Sequence, residues 1–179
     1  TGYWGKWGYG GSKDMENPTI DNLQTLPTSH GYKFVVAELH HVRAHTFFQP
    51  TLWNAPSKGW TPGFMELKPN SVEQYRTKKY PNYPAFQNHP KYPSPAYCDD
   101  VYAFACLDFV RKQATEYNRS GKPFFGLFAA QIPHAPFNEV QKLPNWDHDY
   151  KDKSFFDELS PQSKQWCAMV TRIDAHFGN

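Results

Sequence analysis

The residues whose types and spacing could do chemistry fall into a few groups. Lys6 lies in Thr1-Gly2-Tyr3-Trp4-Gly5-Lys6-Trp7-Gly8-Tyr9-Gly10. Glycine supplies positive φ and close backbone approach, so such a segment can hold a cation against a ligand. An ammonium held there neutralises a bound oxyanion as a point charge. The plainer alternative is a solvated surface lysine. His134 sits in Gln131-Ile132-Pro133-His134-Ala135-Pro136. The prolines stiffen its backbone and define the ring direction, so it could bind an oxyanion or protonate a leaving group. A histidine packed at a strand end is the bland reading.

His40, His41 and His45 form a third group. His41 and His45 are spaced as metal ligands on one helix face would be. Glu38 precedes the pair, so this is not the His-Glu-x-x-His zinc pattern, and no third ligand is evident. Substrate contact or plain structure accounts better for these histidines. The acidic run Asp147-His148-Asp149-Tyr150-Lys151-Asp152 lacks the glycine and terminal Glu of a calcium loop and reads as solvated. Cys98, Cys106 and Cys167 show no Cys-x-x-Cys spacing, which argues against a zinc site, a redox pair or a disulfide scaffold. Neither a Gly-x-Ser-x-Gly elbow nor a Walker-type phosphate loop occurs.

The elements that must position these groups read as follows. Residues 1–31 read as loop and turn, broken at Asn17-Pro18 and Leu26-Pro27. Lys33–Ala37 fits a short strand. Residues 46–97 carry nine of the chain's 16 prolines and read as an irregular excursion, with one short helix near Val72–Lys78. Tyr102, Ala105, Cys106, Phe109, Val110 and Gln113 follow helical spacing, with Asp99 or Asp100 able to cap the helix and Asn118 and Gly121 ending it. The apolar run Pro123–Ala130 reads as a parallel strand buried on both faces. It places His134 where open α/β sheets bind ligands. Ser160-Pro161 opens a last helix with the stripe Trp166, Met169, Val170, Ile173 and Phe177, stopped at Gly178. The fold class is α/β, and one strand between two helices places the rest of the sheet outside the chain.

At 179 residues the chain suffices for one domain with a sizeable core. A net charge of +2 gives no footprint for nucleic acid or a membrane surface. No apolar run approaches the roughly 20 residues of a membrane span.

Four segments, in this order, resemble the sulfatase family, in particular its arylsulfatase A-like members. Gly5-Lys6-Trp7-Gly8-Tyr9-Gly10 resembles the family's Gly-Lys-Trp motif. Arg43-Ala44-His45-Thr46-Phe47-Phe48-Gln49-Pro50-Thr51-Leu52-Trp53-Asn54 resembles its Ala-His-x-aromatic-aromatic-x-Pro-x-x-Leu-Trp stretch. Ile132-Pro133-His134-Ala135-Pro136-Phe137 resembles its Pro-His-x-Pro segment, preceded by a family-like strand at Lys122-Pro123-Phe124-Phe125. Ala168-Met169-Val170-Thr171-Arg172-Ile173-Asp174 resembles its late helix.

The resemblance implies a partial alkaline phosphatase-like fold, a mostly parallel sheet flanked by helices, with residues 1–179 as the central part of a catalytic domain. It implies hydrolysis of sulfate monoesters, on small molecules or glycans, by a formylglycine nucleophile with calcium polarising the sulfate. Lys6 carries over as the sulfate-binding lysine, and His134 as the sulfate-binding histidine and candidate general acid. Many members have histidine where this chain has Gly8, which leaves one cation unassigned, and His45 is the candidate substitute. Cys-x-Pro-x-Arg is absent. The expectation is therefore a fragment, inactive alone, whose nucleophile and calcium ligands lie outside the chain. Family habit puts such proteins in secreted, periplasmic or lysosomal locations. Two other readings stand beside this one: a phosphodiesterase or phosphonate hydrolase of the same superfamily, and a non-catalytic homologue that binds sulfated glycans.

Overall fold

The computed structural model describes residues 1–9, 25–49, 51–55, 63–66, 97–143 and 146–178. The expected helix near 72–78 lies outside them. The glycine-rich opening is a strand, β1 (Gly2–Lys6), and not the loop its composition suggests. Its glycines serve packing. A Cβ on Gly2 or on Gly126 would fall within 3 Å of the Trp4 indole, so that ring lies across both positions. Gly5 has φ 117°, and a Cβ there would stand 1.8 Å from the Ala129 carbonyl oxygen. Glycine at this position permits the close pairing of two strands.

β1 is flanked by parallel neighbours. β2 (Phe34–Glu38) pairs on one side, with Lys6 opposite Glu38. The strand β5 (Gly126–Ala129) pairs on the other, with Gly5 opposite Ala129. Two more strands, β3 (Thr51–Ala55) and β4 (Gly63–Glu66), continue antiparallel beyond β2. The five-stranded order is β4-β3-β2-β1-β5, a mixed sheet. A sheet is therefore present within this chain, and β3 and β4 fall in the stretch that its prolines mark as irregular. β5 is parallel as expected but is not buried on both faces. It ends the sheet among the described residues, and Phe125 and Leu127 are exposed.

The long helix α1 (Cys98–Ser120) covers one face of the sheet. Trp4, Val36 and Leu52 pack there against Val101, Tyr102, Phe104, Ala105 and Phe109. Gly121, at φ 70°, closes the helix in the left-handed conformation, its N–H bonding Tyr117 O at 2.7 Å. On the opposite face Tyr3, Val35, Ala37 and Trp53 pack with Trp7, Leu26 and Leu39. The short helix α2 (Ser154–Glu158) precedes α3 (Pro161–Phe177). α3 starts as the sequence predicts, with Ser160 Oγ accepting the Ser163 N–H at 3.1 Å.

A third core lies at the carboxyl ends of the parallel strands. Phe47 and Ile132 pack there against Ala168 and Met169 of α3, with Tyr97, Val140 and Leu143. Phe47 follows His45 by two residues and Ile132 precedes His134 by two. One apolar cluster thus supports both histidine-bearing loops. Trp166 and Phe177, expected in the α3 stripe, are exposed instead, and Gln165 and His176 are buried.

Candidate oxyanion site

Lys6 is the last residue of β1, and the strand pairing runs on past it: Trp7 N–H bonds Glu38 O at 2.9 Å and Gly8 N–H bonds Leu39 O at 3.1 Å. Trp7 is buried and its indole N–H bonds Thr25 O at 2.6 Å. Lys6 is thereby fixed between two anchored aromatic residues, Trp4 and Trp7. Gly8 follows with φ 70°. A Cβ at Gly8 would lie 3.7 Å from Lys6 Cε and 3.9 Å from His41 Nδ1. The Lys6 stem and the His41 ring therefore approach each other across a residue without a side chain.

His41 and His45 sit on the loop after β2, which a polar network shapes. The His40 backbone N–H donates to Glu38 Oε1 at 2.9 Å. His40 Nδ1 accepts the Val42 and Arg43 N–H groups at 2.9 and 3.2 Å. Arg43 pairs with Glu38 Oε2 at 3.4 Å and donates to Gln49 Oε1 at 3.3 Å. Burial pushes the Glu38 carboxyl up, against the pull of the His40 N–H and Arg43. The loop then turns through one 3-10 helix, Arg43–His45. The histidine pair is thus not on an α-helix, and the metal-ligand spacing does not translate into a shared helix face.

The loop after β5 brings His134 to the same place. Its ring stacks on His45, centroids 5.0 Å apart and planes inclined by 22°. The His41 and His45 rings meet edge to face at 5.5 Å. His134 Nδ1 contacts the Ala135 carbonyl at 2.6 Å, and since a carbonyl only accepts, Nδ1 carries the hydrogen. Nε2 is left as the nitrogen that can meet a ligand. Burial lowers the His45 pKa, and the neighbouring His134, Lys6 and His41 lower it further. No described carboxylate pairs with any of these four residues.

The structure brings Lys6, His45 and His134, three residues singled out in the sequence, into one neighbourhood together with His41. His41 was legible only as one member of the histidine group. Four basic side chains without an acidic partner among the described residues, at the carboxyl ends of parallel strands, suit an anion with several acceptor oxygens. No protein-family model and no curated protein matches this chain.

Other sequence candidates lie apart. Cys98 is fully buried in the first turn of α1, and burial pushes its thiol up, away from the reactive thiolate. Asp147–Asp152 forms turns, with His148 paired to Asp149 at 3.0 Å. Asp99 and Asp100 do not cap α1, since Tyr97 holds the cap position without a side-chain bond. They turn inward. Asp99 Oδ1 accepts the Gln131 N–H at 2.8 Å. Asp100 takes a two-pronged bond from Arg172 and contacts His176 Nε2 at 3.0 Å. Calcium takes roughly six to eight oxygen ligands. The side chains gathered here are cationic or imidazole, and no described group of three or more His, Cys, Asp or Glu is arranged to hold a metal. The cluster does not fit calcium. Among the described residues no helix is long and apolar enough to cross a membrane.

Proposed function

We propose that this chain carries the sulfate-binding part of a sulfuric ester hydrolase site, on a partial alkaline phosphatase-like fold. The observation that carries the reading is the convergence of Lys6, His45 and His134, from three separate segments, on one basic patch with no carboxylate partner among the described residues.

In this reading Lys6 neutralises the sulfuryl oxygens as a point charge, and His134, as the imidazolium, donates its Nε2–H to an oxygen or gives that proton to the leaving alkoxide and keeps the Nδ1–H bonded to Ala135 O. Negative charge develops on both groups as the ester bond breaks, and preorganised cations there act where they lower the barrier most. Gly8 carries no side chain, and His41 Nδ1 lies where a side chain from that position would reach. His41 and His45 then share the work that one histidine at position 8 would do. The nucleophile and calcium belong to residues other than those in this cluster. Substrates are sulfate monoesters, carbohydrate sulfates among them, in a secreted, periplasmic or lysosomal setting.

The test is calorimetric titration of the chain with inorganic sulfate and inorganic phosphate. Sulfate should bind, and Lys6→Ala and His134→Ala should each weaken it by about tenfold or more, the size of a lost charge-assisted hydrogen bond. Tighter binding of phosphate would move the reading to the phosphoryl-transfer branch. Absence of any oxyanion binding would end both.

A further inference from the structure

The two stacked histidines come from loops far apart in sequence, and something must hold their spacing. Gln131 is buried, 4% exposed, and spans the gap. Its side-chain Nε2 donates to Ala44 O, at 2.5 Å, immediately before His45. Its backbone N–H donates to Asp99 Oδ1 at 2.8 Å, and the Ile132 N–H donates to the same oxygen at 3.4 Å. Asp99 is itself fully buried at the start of α1. We propose that Gln131, anchored by Asp99, is the positioning residue that sets His45 against His134.

The physical case is one of leverage. His134 is exposed and His45 only partly covered, so neither ring is fixed by packing of its own. Their backbones are fixed instead. Asp99 clamps two successive amides at the end of β5, and the Gln131 amide reaches across to the His45 loop. A buried amide bridge of this kind is rigid because each broken bond would leave a buried polar group unmade. Asp99 Oδ2 and Gln131 Oε1 have no hydrogen-bond partner among the described residues, so the bridge is held by one oxygen and one nitrogen alone. Neither residue touches a ligand in this role. They act through the rings they space.

This inference rests on the oxyanion reading for its purpose, but its geometry can be tested without it. Two variants each cut one link: Gln131→Met keeps the volume and loses the bond to Ala44, and Asp99→Leu removes the anchor. The first readout is the titration of the His45 ring by NMR. In the parent chain burial, then the charges of His134, Lys6 and His41 that face the ring, hold its midpoint below the ordinary histidine value. In either variant the midpoint should move up as the rings separate, because the His134 share of the lowering is lost. Asp99→Asn, which keeps an acceptor oxygen, should leave it in place. The second readout is affinity for inorganic sulfate, expected to weaken about fivefold in Gln131→Met, the effect of one lost hydrogen bond. A His45 midpoint unchanged in whichever variant folds overturns the proposal. If the parent chain takes up no sulfate, the oxyanion reading falls, and the histidine titration still decides the bridge.

Discussion

His45 and His134 lie ring against ring, 5.0 Å between centroids, with Lys6 and His41 close enough to disfavour a proton on His45. Two potential cations stacked at this distance repel when both are charged. That arrangement is unfavourable in an empty site and favourable around an anion, which gives the cluster a defined pH response.

Sulfate affinity should rise as pH falls. Burial, then His134, Lys6 and His41, hold the His45 midpoint low in the free site. A bound anion reverses that electrostatic term and raises the midpoint, so binding takes up a proton in the window between the two values. The upper bound on the effect is about tenfold in Kd per pH unit for one coupled proton. Calorimetry from about pH 8 down to about pH 5 spans the ordinary histidine range. His45→Gln should flatten the profile, and a Kd independent of pH in the parent chain would remove His45 from the site.

Two glycines with positive φ should differ sharply when replaced. Gly5 and Gly31 both have positive φ, 117° and 88°. Gly31→Ala meets nothing within 4 Å. It should therefore show only the backbone term, about 1–2 kcal/mol. Gly5→Ala would place a Cβ 1.8 Å from the Ala129 carbonyl oxygen. That atom belongs to the partner strand and cannot move without unpairing β5. Urea denaturation should show a much larger loss for Gly5→Ala, and equal losses would mean that β1 and β5 are not paired at this register.

The two long helices, α1 and α3, were legible because their signals are local. Ser160-Pro161 predicts the start of α3, and Gly121 predicts the end of α1 through a left-handed closure. β1 was not legible. Its glycines look like a loop until Trp4 is seen lying over Gly2 and Gly126, a relation between strands distant in sequence. β3 and β4 were hidden for a similar reason, since short strands among prolines carry little periodicity. The site was partly legible. Lys6, His45 and His134 stand out by type and neighbourhood, but His41 gains meaning only from the empty space beside Gly8. Asp99 looked like a helix cap because Asp is common there. Its actual bond is to Gln131, which no local pattern announces.

Met169 should matter more than its helix neighbour Trp166, though Trp166 is larger. Met169 is fully buried with Phe47 and Ile132 beneath the two histidine loops, and Trp166 is 46% exposed. Met169→Ala should cost about 2–5 kcal/mol. Trp166→Ala should stay within about 0.5 kcal/mol, as surface changes usually do. Chemical unfolding of both variants checks this, and the reverse order would place the other face of α3 against the core.

Asp99 should tilt the stability of the chain with pH. Burial pushes its carboxyl up to about 7, more than the Gln131 and Ile132 N–H groups and Arg172 pull it down, and Asp100 adds to the rise. The unfolded carboxyl titrates near 3.9. Between those values the folded chain holds more protons than the unfolded one, so this group's contribution falls as pH rises through the window and is constant above it. Asp100 runs the other way. Burial pushes it up, but Arg172 and His176 overcome that and leave it below the ordinary carboxylate range. Its contribution is therefore lost only at acid pH. His176, held low by burial, also favours stability at higher pH. The measurement that isolates Asp99 is the difference between the parent chain and Asp99→Asn, which has no proton to lose. Unfolding free energies from about pH 5 to about pH 8, spanning most of that window, should fall relative to the variant until near neutrality and then run parallel. Parallel curves across the whole range would show that Asp99 is ionised throughout and that the Gln131 bridge is anchored by a full charge.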